Sequence, residues 1–321
     1  MSIILSVDGG GSKINAILFD DKFRLLGAGK SGGVNTNSTT LEDCRNNVAD
    51  CLNQVFRERP PAAIDRLYAV FVGPINVLFE EVEKLTTVKE KIRLNEARAG
   101  LLAGALKKNG ILAIAGTGSD IFYIREDREK NEVVGAWGPI LGDQGSGTWI
   151  GQKALRAVVA GIEGGGGPTM IREIIHREWK LKNDWDMVNI IHKSPAPFRK
   201  AASVTPMVGE AAAANDPVAI RILKEAGTIL AVQTDCLIRR EKIPEEYLDV
   251  VCCGGAWKSH PIMFDTFKAR LKGKYPAITV VKPWFEHVLA GPAQEMLNRQ
   301  IPAGRVKNTL EKCFPEYVIK W

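Results

Sequence analysis

Histidine is scarce in this chain, and no two of its cysteines form a Cys-x-x-Cys pair. Only four His residues occur, and the six cysteines are Cys44, Cys51, Cys236, Cys252, Cys253 and Cys313. A zinc site is therefore not expected. Five of those cysteines, Cys44, Cys51, Cys236, Cys252 and Cys253, fall in helix- or strand-like patterns, which fits buried free thiols in a reducing compartment. No apolar run approaches the ~20 residues that a membrane helix needs. No block of Lys and Arg stands out, and 43 basic against 37 acidic residues leave a net charge of only +6. Nucleic-acid binding is not implied, although a mild positive field suits an anionic substrate such as a nucleotide. Met1 leads at once into an apolar stretch, so no signal peptide is expected and a cytoplasmic location follows.

Against these absences stands a length of 321 residues, enough for about two domains. Apolar content of 45% and charged content of 25% are those of an ordinary globular protein with a sizeable core. The stretch that organises the chain is Leu5-Ser6-Val7-Asp8-Gly9-Gly10-Gly11-Ser12-Lys13. An apolar strand ends in a carboxylate, turns through three glycines, a hydroxyl and a lysine, and resumes as a strand from Ile14 to Phe19. This reads as a β-hairpin. Glycines let backbone N–H groups approach a phosphate, and Asp8 is placed to hold a hydrated Mg²⁺ beside it. Taken alone, the same residues also fit a glycine-rich hairpin without a ligand.

Further along, a third strand is expected near Arg24 to Gly29, and a helix from about Thr39 to Arg57 behind polar N-caps. Leu67 to Val72 reads as a buried strand, Asn76 to Leu85 as a short helix and Lys91 to Leu94 as a strand edge. Asn95 caps a helix rich in small residues. Ile111 to Ala115 is a second apolar strand that breaks into Gly116-Thr117-Gly118-Ser119 and continues from Ile121 to Ile124. Strand, glycine turn and strand thus occur twice, about 110 residues apart, which points to a duplicated architecture. Val134 to Gly147 holds five glycines, Trp137 and Asp143, and reads as a loop that walls a ligand. Helical patterns follow, the longest from Pro217 to Arg240 with Ile220, Leu223, Ile229, Leu230, Val232 and Leu237 on its apolar face. Asp249 to Cys253 is a strand that breaks into Gly254-Gly255-Ala256-Trp257-Lys258-Ser259. Trp257 fits either a shelf for a nucleotide or an anchor for its own loop. The fold class expected is α/β.

The order and spacing of Asp8-Gly-Gly-Gly-Ser12, Gly116-Thr-Gly-Ser119, Gly142-Asp143-Gln144-Gly145-Ser146 and Gly254-Gly255-Ala256-Trp257-Lys258-Ser259 resemble the N-acetylglucosamine kinase branch of the BadF/BadG/BcrA/BcrD-type ATPase family. That family belongs to the actin/hexokinase/Hsp70 superfamily. The resemblance runs from Val7 to about Leu297. It implies two ribonuclease-H-like, actin-like ATPase domains around a nucleotide and sugar cleft. The domains expected are 1–117 and 118–300, with a C-terminal helix in 301–321 packing back on the first. The resemblance implies ATP and Mg²⁺ as cofactors and phosphoryl transfer to a hydroxyl of an amino sugar, N-acetylglucosamine or a close relative. Gly9, Gly10, Gly11 and Ser12, with Lys13 beside them, would form the first phosphate loop, and Asp8 would order Mg²⁺. Gly116, Thr117, Gly118 and Ser119 would form the second loop, and Gly254, Gly255 and Ser259 would line the adenine pocket. Asn35, Trp137, Gly138, Asp120 and Asp143 match sugar-contacting positions. The partners implied are a sugar and a nucleotide, with no nucleic acid and no membrane, and a homodimer is a common form in such families.

The family's catalytic base is an aspartate in an Asn-Asp-Ala setting, where this chain has Asn95-Glu96-Ala97. The first helical turn favours an ionised carboxylate, as a base requires. Three readings stand open. Glu96 is the base in an adjusted pocket; or the protein binds sugar and nucleotide without turnover, as a sensor; or Asp143 is the base. Asp120 likewise stands where animal members carry Asn. Another branch of the family, ATPase activators of radical dehydratases and reductases, holds an iron–sulfur cluster with mid-chain cysteines. The run from Leu52 to Asp235 contains none.

Overall fold

The computed structural model describes residues 1–36, 39–57, 59–128 and 130–320. The chain forms two compact units, residues 1–108 with 283–320, and residues 109–282.

In the first unit β1 (Ile3–Gly9), β2 (Ile14–Asp20) and β3 (Leu25–Ser31) form an antiparallel meander. β4 (Ala63–Phe71) lies parallel to β1, and β5 (Thr87–Leu94) lies parallel to β4 at the sheet edge, in the order β3-β2-β1-β4-β5. Strand side chains alternate between faces. Leu5, Val7, Ile14, Ala16 and Leu18 pack on one side with Cys44, Val48 and Leu52 of α1 (Leu41–Phe56). Ile4, Ile17 and Phe19 pack on the other side with Ala99, Leu102 and Ala103 of α3 (Glu96–Ala105). Both faces are covered, so β1 and β2 read as nearly continuous apolar runs. α2 (Ile75–Glu83) fills the β4–β5 crossover. Thr40 caps α1 by accepting the Asp43 N–H at 3.0 Å.

In the second unit β6 (Gly110–Ala115), β7 (Ser119–Ile124) and β8 (Glu132–Gly135) repeat the antiparallel meander. β9 (Asp249–Cys253) runs parallel to β6, and β10 (Thr279–Val281) parallel to β9. The order β8-β7-β6-β9-β10 has the wiring of the first sheet. Between β8 and β9 the chain inserts α4 (Gly138–Leu141), α5 (Gly147–Ile162), α6 (Ile171–Trp179), α7 (Asp186–His192), α8 (Pro197–Ala202), α9 (Thr205–Ala213) and α10 (Pro217–Glu241). α11 (Pro261–Lys274) joins β9 to β10. These helices and strands share one core that includes Ile111, Ile121, Leu223, Leu230 and Phe267. Asp216 caps α10 by accepting the Ala219 N–H at 2.8 Å.

The chain then returns to the first unit with α12 (Ala290–Asn298) and α13 (Ala303–Cys313). Met296, Val306 and Leu310 are buried in the same cluster as Ile4 and Phe19. Buried Glu295 of α12 accepts the Tyr68 hydroxyl at 2.7 Å and pairs with Arg66 of β4 at 2.6 Å. A carboxylate buried this way needs such partners, and Arg299, just past the end of the same helix, adds a third at 3.6 Å.

Several features depart from the sequence reading. Residue 117 lies in the turn of the β6–β7 hairpin, so a boundary there divides one hairpin, and residues 283–300 pack with the first unit. Val134 and Gly135, read as the start of a loop, instead end the edge strand β8, which is short and half-buried throughout. α8 had no periodic signal. Val232 is 52% exposed, because the buried ridge of α10 runs through Leu223, Ala226, Leu230 and Leu237.

Candidate active site

In the first unit the hairpin turn closes when the Gly10 N–H donates to the Lys13 carbonyl at 2.9 Å. The turn is tied from two sides. Gly10 accepts the Val34 N–H at 2.8 Å, and Gly9 accepts the Val72 N–H at 2.8 Å from beyond the end of β4. Gly9 has no room for a side chain, since a Cβ would stand 2.6 Å from the Phe71 ring and 2.8 Å from Val34 Cγ2. Gly10 faces open space, and Gly11 and Ser12 are exposed. The packed glycine fixes the turn, and its open neighbours leave a cradle for an anion.

Asp8 sits on β1 directly opposite Asn15 of β2. The protein atoms around its carboxyl withdraw enough water to push its pKa up. His287 and Lys13 oppose that rise, while Glu96 and Glu286 add to it. The fold thus collects five ionisable groups around one strand end, drawn from β1, the turn, α3 and the returning C-terminal segment. Lys13 Nζ lies 2.6 Å from Glu286 Oε2, and Asn15 Nδ2 lies 3.0 Å from the same oxygen. Glu96 is the first residue of α3 and is exposed. Its helix start is fixed by Asn95, whose Oδ1 accepts the Arg98 N–H at 2.8 Å. Asn35 follows Val34, which bonds the turn, and is half-buried.

In the second unit the corresponding turn is shorter. The Gly116 N–H donates to the Gly118 carbonyl at 2.9 Å. The carbonyls of Gly116 and Thr117 accept the N–H groups of Gly147 and Thr148, at 2.8 and 3.1 Å, from the first residues of α5. Ser119, expected in a phosphate loop, is fully buried, and its hydroxyl donates to the Gln144 carbonyl at 3.0 Å. Its N–H donates to Asp143 Oδ1 at 3.3 Å. Asp143 is therefore brought onto the second glycine turn. Asp120 pairs with Gly135 across β7 and β8, one residue before the Ala136-Trp137 segment.

That segment is strained and apolar. Ala136 and Asp143 adopt φ of 61° and 53°, a left-handed conformation costing a non-glycine residue about 1–2 kcal/mol. Trp137 is 72% exposed, with Ile140 and Leu141 near it on the chain at 81% and 79%. Strain of this kind collects at functional sites.

The third glycine turn abuts the second. Gly254 has φ of 110°, and a Cβ there would stand 2.4 Å from the Ala115 carbonyl oxygen. Gly255 and Gly116 face open space. Trp257 is the anchor of its loop and not an exposed shelf. It is buried, donates Nε1–H to the Ala113 carbonyl at 3.2 Å and meets the Phe267 ring edge-on at 5.0 Å. The Ser259 hydroxyl donates to Ala256 within the same turn at 2.6 Å.

The expected site residues thus fall into two sets. Asp8, Gly9 to Lys13, Asn35 and Glu96 belong to the first unit, and Gly116 to Asp120, Trp137, Gly138, Asp143, Gly254, Gly255 and Ser259 to the second. Glu286 and His287 were missed, because their contacts span more than 270 residues of sequence and no motif marks them. Among the described residues no helix is long and apolar enough to cross a membrane.

The sequence model of the BadF/BadG/BcrA/BcrD ATPase family matches residues 5–288. The chain is similar to an N-acetylmuramic acid/N-acetylglucosamine kinase of Clostridium acetobutylicum, with 28% identity over 88% of this chain and 94% of that protein. It is similar to an N-acetyl-D-glucosamine kinase of Dictyostelium discoideum, with 25% identity over 85% of this chain and 91% of that protein. Among solved structures it resembles one provisionally assigned as an N-acetylglucosamine kinase, from Porphyromonas gingivalis. The TM-score is 0.67 at 18% identity, over 94% of this chain and all of the other. At that identity the likeness is one of fold.

Proposed function

Because the chain belongs to the BadF/BadG/BcrA/BcrD ATPase family, we propose that it is an ATP-dependent kinase. It transfers the γ-phosphoryl group to a hydroxyl of an amino sugar, N-acetylglucosamine or a close relative. The observation that carries this reading is the pair of identically wired hairpins, each ending in a glycine turn with open space beside it at Gly10 and Gly116. The first of these turns stands beside a carboxylate at Asp8 that burial makes costly to leave uncompensated.

In the first unit the Gly9–Ser12 turn and the Lys13 ammonium bind phosphate oxygens. Asp8 is suited to a hydrated Mg²⁺, which takes few protein carboxylates and keeps its waters; bound there, the ion would neutralise phosphate charge. Asn35 binds a sugar hydroxyl. Glu96 is the base: it takes the proton of the acceptor hydroxyl as that oxygen bonds to the γ-phosphorus and the bond to the ADP oxygen breaks. In the second unit the turn from Gly116 to Gly118 supplies further phosphate contacts, with Ser119 buried beneath it as a tie to Asp143 and Gln144, and Gly254, Gly255 and Ser259 shape the adenosine site. Asp120, Trp137, Gly138 and Asp143 hold the sugar, with hydrogen bonds from the acids and an apolar face from the indole.

A coupled ADP-release assay with Mg²⁺-ATP tests the reading on N-acetylglucosamine, N-acetylmuramic acid, glucosamine and glucose. Turnover is expected with at least one N-acetylated amino sugar and little with glucose. Binding of sugar and nucleotide without turnover of any sugar would replace the kinase with a sensor.

A further inference from the structure

We propose that Glu286, seated against Asn15, is the positioning residue for Lys13, holding its ammonium at the β1–β2 turn where the nucleotide phosphates bind. The inference rests on the kinase reading and adds a residue that the motifs do not contain.

A lysine on an exposed turn samples many rotamers, and ordering it costs about 2 kcal/mol of side-chain entropy. Here the ordering precedes any ligand. Lys13 Nζ is 2.6 Å from Glu286 Oε2. The same oxygen accepts Asn15 Nδ2 at 3.0 Å, and Asn15 is only 2% exposed. Asn15 lies in β2 directly across from Asp8, so the amide that orients the carboxylate is part of the rigid sheet. The backbone of Glu286 is fixed as well. Its N–H donates to the Tyr317 carbonyl at 2.9 Å. The following turn, residues 287–289, is held to β1 by the Ser6 hydroxyl, which donates to the Val288 carbonyl at 2.7 Å.

The chemistry suits a relay better than a strut. An ammonium has three N–H donors. Glu286 takes one, and two remain for phosphate oxygens. Both charges act on Asp8: Lys13 lowers its pKa and Glu286 raises it, so the pair lies within electrostatic reach of the proposed metal ligand while adding no net charge there. A partner fixed to the sheet, here the half-buried Glu286, preorganises a mobile cation for a phosphate contact.

A double-mutant cycle separates relay from strut. Wild type, Lys13→Met, Glu286→Gln and the double variant are compared for ATP affinity by calorimetry, for KM and kcat, and for thermal midpoint. Lys13→Met is expected to weaken ATP binding by tenfold or more. Glu286→Gln should weaken it by about tenfold, the loss of one ordered charged contact, with sugar KM unchanged. The double variant should bind ATP no worse than Lys13→Met. Additive losses, or a lowered thermal midpoint with ATP affinity intact, would make Glu286 a strut and overturn the proposal. Wild type that binds no ATP would sink this proposal and the kinase reading together. Wild type that binds ATP while the losses add would sink this proposal alone.

Discussion

The two sheets share one wiring and carry different chemistry. In the first, the hairpin from β1 to β2 ends in an acid and a lysine, and ionisable groups from α3 and the C-terminal segment gather around it. In the second, the strand end is Ala115, the turn residues are neutral, and the loop carbonyls and Ser119 hydroxyl are engaged by α5 and the 143–147 segment. Topology alone therefore does not decide where charge chemistry happens. The first hairpin is equipped to meet ions. The second is a neutral, hydrogen-bonded platform that fastens Asp143 in place. The insertion between β8 and β9 explains part of the difference, because it supplies the helix start on which the second turn rests.

The largest expected effect tests which unit holds the base. Glu96→Gln should lower kcat by about a thousandfold with sugar affinity largely kept, within the range that general-base removal produces. Asp143→Asn should cost about tenfold, since an asparagine oxygen can still accept the Ser119 N–H that Asp143 now holds. Steady-state kinetics of both variants decide the matter. If Asp143→Asn is the more damaging, the base belongs to the second unit and the comparison drawn above inverts. Glu96→Asp sharpens it further: a drop in kcat means a pocket built for the longer acid, and a rise means the glutamate is a poorly reaching base.

A second pair of variants asks how each turn is built. Gly254→Ala would drive a Cβ to 2.4 Å from a backbone oxygen at a φ of 110°, and a loss of about 3 kcal/mol is expected. Gly9→Ala meets side chains, the Phe71 ring and Val34, which can shift, so about 1–2 kcal/mol is expected. Gly255→Ala and Gly10→Ala face open space and should stay within about 0.5 kcal/mol of wild type. Urea unfolding of the four variants checks the order. An equal loss for Gly9→Ala and Gly254→Ala would show that the first turn is as rigid as the second.

These positions also show what could be read in advance. The hairpins, the three glycine turns and the cap at Asn95 are local, and local signals survive in sequence. β8 escaped because four half-buried residues beside charged neighbours carry no alternation. The boundary after Lys108 has no linker composition to mark it, and the motif at 116–119 draws the eye into the middle of a hairpin. Trp257 was ambiguous because an indole before a lysine fits a loop shelf as well as a core, and only the buried contact with Ala113 decides. Glu286 was illegible for a different reason. Its meaning lies in Lys13 and Asn15, more than 270 residues away.

The smallest expected effect compares the units at their surfaces. Asp65 in the first unit and Asp184 in the second are both held at a pKa of about 2, below the ordinary 3.8. Lys89 is the main cause for Asp65, followed by the Ile3 N–H; Arg172 is the main cause for Asp184, followed by His176. A lowered carboxylate pKa stabilises the fold fully above about pH 4, and that contribution drains as the pH falls toward 2. Both groups are partly exposed, so each is worth no more than about 1 kcal/mol. Asp65→Asn and Asp184→Asn should each flatten the acid limb of a thermal-midpoint profile between pH 5 and 2. Salt separates them. Among the described residues the Asp184 carboxylate bonds charged or chargeable side chains, Arg172 at 2.7 and 2.9 Å and His176 at 2.7 Å. Asp65 also accepts the fixed backbone N–H of Ile3 at 2.7 Å. At about 1 M salt, where screening reaches within about 3 Å, the Asp184→Asn difference should shrink more than the Asp65→Asn difference. Equal shrinkage would mean that Asp65, too, acts through its lysine alone and that β1 owes its start to strand pairing and packing.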